Sequence, residues 1–169
     1  MRRRTVWLLD VDGVINAPRP AWPGRIATAD VAAAGVTYPL RWSVRLVDRI
    51  RDLATSGAVD VVWCSTWCPD AHLLEDLWRL PRLARAFTRR PTGHADMWKW
   101  AAVWENLSAG HRVVWTDDTE VPIDDADRDA LHEQGEVLPI RPRSRAGLRP
   151  ADLATIEAFV VAPSTGTHD

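Results

Sequence analysis

The chain has 169 residues, 46% of them hydrophobic, enough to bury one full core, and it reads as a single domain over 1–169. A formal net charge of −2 gives no global attraction to nucleic acid or to an anionic membrane, and no apolar run approaches membrane-spanning length. Arg2-Arg3-Arg4 before Thr5–Leu9 imitates a signal peptide, but Asp10 and Asp12 interrupt a stretch too short to act as one, so a cytoplasmic location without membrane contact is expected.

In chain order, the apolar run Thr5–Leu9 ends at Asp10 and predicts a buried strand. Residues 16–42 hold most of the early Pro and Gly; within them 25–31 and 36–41 are expected to pair as a hairpin around Ala33-Ala34-Gly35, forming a flap. Ser43 caps a helix that sets Val44, Val47, Ile50 and Leu53 on one face and closes at Gly57. Residues 59–64 form a second buried strand. Leu73, Leu74, Leu77 and Trp78 predict a helix over 70–80, stopped by Pro81, and a short strand follows at 86–88. Asp96 caps a helix over 97–107 that Gly110 ends, and a third strand, 112–115, leads into Asp117-Asp118. A polar helix over 124–133, the strand Val137–Ile140 and a helix after Pro150 complete the chain.

Apolar strands alternating with helices predict the α/β class: a three-layer, Rossmann-like parallel sheet with helices on both faces. Ligands of such sheets bind outside the carboxyl ends of the strands, so chemistry is expected just after strands one, two and three. Cys64 and Cys68 flank Ser-Thr-Trp without a second pair to complete a zinc site, and read as reduced thiols. Most of the ten tryptophans are expected in the core or along a cleft wall.

Asp10-Val11-Asp12-Gly13 places two carboxylates two residues apart in extended chain, where they share a face. Like charges this close call for a cation or a shared proton, and hard oxygen ligands suit Mg²⁺. Gly13 lets the backbone turn away at once. An EF-hand-type calcium loop would need an oxygen ligand at Val14, which has none. After the second strand, Ser65 or Thr66 offers a hydroxyl to a phosphate oxygen without adding charge, a signal that is weak alone because such residues also begin turns.

Lys99 stands out by scarcity: of 21 basic Lys and Arg residues it is the one lysine. A compact ammonium fits between carboxylate and phosphate where a planar guanidinium does not. In the first turn of its helix it would oppose the helix dipole, so local stability does not explain it. Asp117-Asp118 adds two acids at the end of the third strand.

Together these segments resemble the haloacid dehalogenase-like (HAD) superfamily, whose four motifs match Asp10-Val11-Asp12-Gly13, Ser65 or Thr66, Lys99 and Asp117-Asp118 in order. Leu9 to Val14, Trp63-Cys64-Ser65-Thr66-Trp67, Lys99-Trp100 and Trp115 to Asp118 are more specifically similar to the small HAD domain of "Swiss Army knife" RNA repair proteins. The resemblance implies that Asp10 attacks phosphorus and becomes an aspartyl-phosphate, while Asp12 protonates the leaving oxygen and then activates water. It implies that Ser65 (or Thr66) and Lys99 hold the phosphoryl oxygens. Asp118, supported by Asp117, would bind Mg²⁺ with Asp10 and the Asp12 backbone carbonyl.

Neither gap between motifs can build a large cap, and an open cleft suits a polynucleotide end or another macromolecular phosphate. Trp22, Tyr38 or Trp42 could reach the rim from the flap. Arg82, Arg85, Arg89 and Arg90, or Arg141, Arg143, Arg145 and Arg149, could track a phosphate backbone, with Trp67 or Trp98 as stacking face. Two other readings stay open: a phosphatase for nucleotide or sugar phosphates, and a module that binds phosphate without turnover.

Overall fold

The structure, a computed structural model, describes residues 3–89 and 94–164. Its centre is β1 (Thr5–Leu9), buried at every position because the run Thr-Val-Trp-Leu-Leu has no polar face to turn to water. β1 pairs in parallel with β4 (Asp60–Trp63) on one side and β6 (Arg112–Thr116) on the other. β5 (Ala84–Arg85) lies outside β4 and β7 (Val137–Ile140) outside β6, giving the parallel order β5-β4-β1-β6-β7. The chain leaves β1 toward β4 but leaves β6 toward β7. The carboxyl end of the β1–β6 pair is therefore the switch point at which such sheets open a crevice.

Among the described residues, five α-helices cover the sheet: α1 (Val44–Ser56), α2 (Ala71–Trp78), α3 (Ala95–Ser108), α4 (Asp125–Gln134) and α5 (Pro150–Val161). α1 neighbours α2 and α5: Arg51 donates to the carbonyls of Trp78 and Arg79, and Arg49 pairs with Glu157. α3 packs against β1, β6 and α4, which the right-handed crossover rule puts on the opposite face. Start signals are literal in two cases: Ser43 Oγ accepts from the Leu46 N–H, and the Asp124 carboxylate accepts from the Asp127 N–H.

The α/β sheet stands as expected, with boundary corrections. The edge strand is 84–85 rather than 86–88, because Trp63 pairs in register with Arg85 and Ala86 only adds a bond to the Trp63 carbonyl. A 3₁₀ turn, Cys68–Asp70, precedes α2, which ends at Trp78 where Arg79 turns left-handed (φ 52°). His94, not Asp96, occupies the N-cap position of α3, without a side-chain capping bond; the Asp96 carboxylate accepts from Met97 inside the first turn. Lys99 is consequently the fifth helical residue, one step beyond the first turn. Between the first and second motifs the insertion is one antiparallel hairpin, β2 (Ile26–Ala33) and β3 (Val36–Ser43). Ala34 and Gly35 both take positive φ (50° and 77°) at its tip, as a two-residue type I′ turn requires. No large cap is present among the described residues.

Candidate active site

Asp10 follows β1 directly, and its N–H extends the ladder to the Thr116 carbonyl at 3.1 Å. The chain then coils on itself: the Val11 carbonyl accepts from Val14, Ile15 and Asn16, and Gly13 donates to the Asn16 carbonyl. Gly13 has φ 71°, and a Cβ there would lie 2.0 Å from Asp118 Oδ2. Both the turn and the close approach of Asp118 require glycine. Gly147 braces the same loop from the distant C-terminal region: its φ is 65°, a Cβ would meet the Val14 carbonyl at 2.5 Å, and Leu148 donates to that carbonyl.

Lys99 reaches in from α3, buried at 5% exposure rather than standing on a rim. Its ammonium donates to Asp10 Oδ2 at 2.8 Å and to Asp117 Oδ2 at 2.5 Å. Asp117 Oδ1 accepts from the Thr119 N–H and hydroxyl and from the Glu120 N–H. Burial works against the Asp117 charge, yet Lys99 and those donors hold its carboxyl below the usual range. Asp10 goes the other way. Burial, reinforced by the Asp117 charge, pushes its carboxyl up to about 7 despite Lys99. Burial also opposes the Lys99 charge, but Asp10 and Asp117 outweigh it and hold the ammonium above its ordinary value.

Asp10, Asp117 and Asp118 each present an oxygen within 4.8 Å of the others, a candidate divalent-metal site. Three acids facing one lysine leave negative charge that a divalent cation would neutralise, and oxygen-only donors suit Mg²⁺. The set fits such an ion. Asp117 already accepts from Lys99 and its own loop, so the half-buried Asp118 is the less committed member of the doublet.

The Asp12 carboxylate is not a member of that cluster. Its Oδ1 accepts from Asn16 Nδ2 at 2.7 Å and its Oδ2 from the Trp67 indole N–H at 3.0 Å. The Asp12 side chain is therefore engaged by Asn16 and Trp67 and stands outside the candidate metal cluster. Ser65 lies buried at the end of β4, its Oγ accepting from the Trp67 N–H at 3.3 Å, whereas Thr66 is exposed. Trp67 is buried with Tyr38 edge-on at 5.1 Å, so it is not an open stacking face. Trp98 is 42% exposed beside Phe87. Trp42 belongs to the core against Trp78, and Trp22 donates to the Leu148 carbonyl.

The arginine stretches divide. Arg82 bonds Glu75, Asp76 and the His72 carbonyl, and Arg85 lies 3.7 Å from Glu75, so these two serve the fold. All four arginines of the later stretch are exposed, but Arg141 donates to the Val121 carbonyl and Arg149 pairs with Asp152, whereas among the described residues no side-chain bond engages Arg143 or Arg145. Arg2 and Arg90 lie outside the described residues. Sequence reasoning passed over Asn16, which shares its four-residue spacing from Asp12 with countless unrelated pairs.

A family model described as "HAD domain in Swiss Army Knife RNA repair proteins" matches residues 6–153. No curated protein and no solved structure matches the chain. The match spans most of the 169 residues, and the chain belongs to this family of HAD-like hydrolase domains.

Proposed function

We propose that this HAD domain is a magnesium-dependent phosphohydrolase working through an aspartyl-phosphate on Asp10. The observation that carries the reading is the position of Asp10. It sits at the β1–β6 switch point, held by Lys99 on one side, gathered with Asp117 and Asp118, and followed two residues later by a second acid. Asp10 is the in-line nucleophile; Asp12 gives a proton to the leaving oxygen and then takes one from the hydrolytic water. Lys99 and the Ser65 hydroxyl, whose own proton is free to donate, steady the equatorial oxygens. Asp10, Asp118 and the Asp12 carbonyl would hold Mg²⁺, which supplies positive charge to the phosphoryl group.

The substrate we favour is a polynucleotide end. Three features support it: a hairpin in place of a large cap, the exposed Trp98 one residue from Lys99, and the RNA repair setting named for the family. Arg143 and Arg145 are the exposed cations of the C-terminal stretch available to a phosphate backbone. A chromogenic phosphate ester assayed with Mg²⁺ and with a chelator tests the chemistry. Mg²⁺-dependent release is expected, and a folded protein that binds Mg²⁺ yet releases nothing would leave a phosphate-binding module.

A further inference from the structure

We infer that Asn16 and Trp67 are positioning residues that clamp the Asp12 carboxylate from both sides and tie it to the β2–β3 hairpin. The inference rests on the phosphohydrolase reading, to which it adds a positioning role for Asn16 and Trp67. Asp12 is exposed, and an unrestrained aspartate at a surface loop rotates freely about its side-chain bonds. Here neither oxygen is loose: Asn16 holds Oδ1 at 2.7 Å and Trp67 holds Oδ2 at 3.0 Å. A carboxylate has about four lone-pair sites, so each oxygen keeps one for a proton or a water, now aimed in a fixed direction. Orienting the group that moves the proton is a known source of rate.

Each clamp is itself anchored to the hairpin. Asn16 Oδ1 accepts from the Arg41 N–H at 2.8 Å, and the Ala17 N–H donates to the Arg41 carbonyl at 2.9 Å, so β3 grips the segment from two sides. The Trp67 ring meets Tyr38 of the same strand edge-on at 5.1 Å. Leu40 and Trp42 bury the strand into the body of the domain. The hairpin that replaces a cap therefore works as a bracket for Asp12, and the two clamps approach from segments 51 residues apart in sequence.

Trp67→Phe keeps a ring against Tyr38 and removes only the donor. Asn16→Asp keeps an acceptor for Arg41 but replaces the donor to Asp12 with a like charge. The readout is the ratio of rates on an aryl phosphate, a good leaving group, to an alkyl phosphate, which needs the proton. Both variants should raise that ratio by roughly 10-fold, a fraction of what a positioned acid contributes. A global packing defect would slow both esters alike, and an unchanged ratio in both variants would overturn the clamp. An assay of side-chain N–H signals by NMR does not depend on turnover. In the full chain, Asp12→Ala should shift the Trp67 indole and Asn16 amide resonances together, and unmoved resonances would also overturn it. If the wild-type protein cleaves neither ester, the phosphohydrolase reading fails, and the resonances alone decide the clamp.

Discussion

The Lys99 ammonium lies 2.8 Å from Asp10 Oδ2 although 89 residues separate the two. It carries a side chain of α3 to the residue just past β1, and the same ammonium also bonds Asp117, just past β6. One lysine thereby joins the two strands that flank the switch point.

Lys99→Ala and Lys99→Arg should both abolish phosphate release. Alanine leaves Asp10 and Asp117 as uncompensated buried acids, and the guanidinium is too broad for a pocket shaped by two carboxylates. A lysine at a rim would have been removable without loss of stability, but this one is buried. Breaking the pair with alanine should cost about 3 kcal/mol at neutral pH. Urea denaturation beside the phosphate assay checks this, and an alanine variant as stable as wild type would refute the buried-pair account.

Gly13→Ala should weaken Mg²⁺ binding by 10-fold or more, an order-of-magnitude figure for disturbing a ligand's support. The added carbon would stand 2.0 Å from Asp118 Oδ2, and φ 71° strains any side chain there. Calorimetric titration with Mg²⁺ measures it. Unchanged affinity would mean Asp118 is no ligand.

The raised Asp10 pKa has a signed consequence. Because folding favours the protonated acid, the stability tied to this carboxyl is complete below about pH 4. It is lost as pH rises through about 7. Asp117, held low, contributes in the opposite sense: its stability is present above about pH 4 and lost as pH falls further. A divalent ion needs Asp10 ionised, so Mg²⁺ should raise the melting temperature more at pH 8 than at pH 5.5. Melts in Mg²⁺ and in chelator at both pH values test this, and equal gains would contradict it.

How much of this was legible in the chain depends on how local each cause is. Asp10 was readable because an apolar run ends on it, and Lys99 because it breaks an otherwise uniform use of arginine. The β1–β6 register, which the sequence does not specify, pairs Leu9 with Thr116 and so brings Asp10 beside Asp117. Asn16 and Trp67 were not readable as partners of Asp12. Their role depends on a loop that coils within five residues and on a hairpin brought alongside, and neither leaves a periodic trace. The start of α3 was misplaced because Asp96 caps equally well on paper, whereas its carboxylate bonds forward to Met97 from within the turn.

Glu75→Ala should lower stability by about 3 kcal/mol while leaving Mg²⁺ affinity intact. The buried carboxylate accepts from the Trp63 indole and the Leu83 N–H at 3.0 Å each, and pairs with Arg82, none of them an acid of the site. Denaturation and metal titration on the same sample separate the two effects. A loss of metal binding in the folded variant would show that this arginine stretch serves the site after all.

The most direct test of the account is Asp10→Asn. The amide keeps shape and burial while removing the nucleophilic oxygen, so the fold should survive with a melting temperature at or above wild type in the absence of metal. Phosphate release from an aryl ester in Mg²⁺ should fall to background. Wild-type release from the folded Asp10→Asn protein would contradict an aspartyl-phosphate on Asp10, and with it the mechanism proposed for this domain.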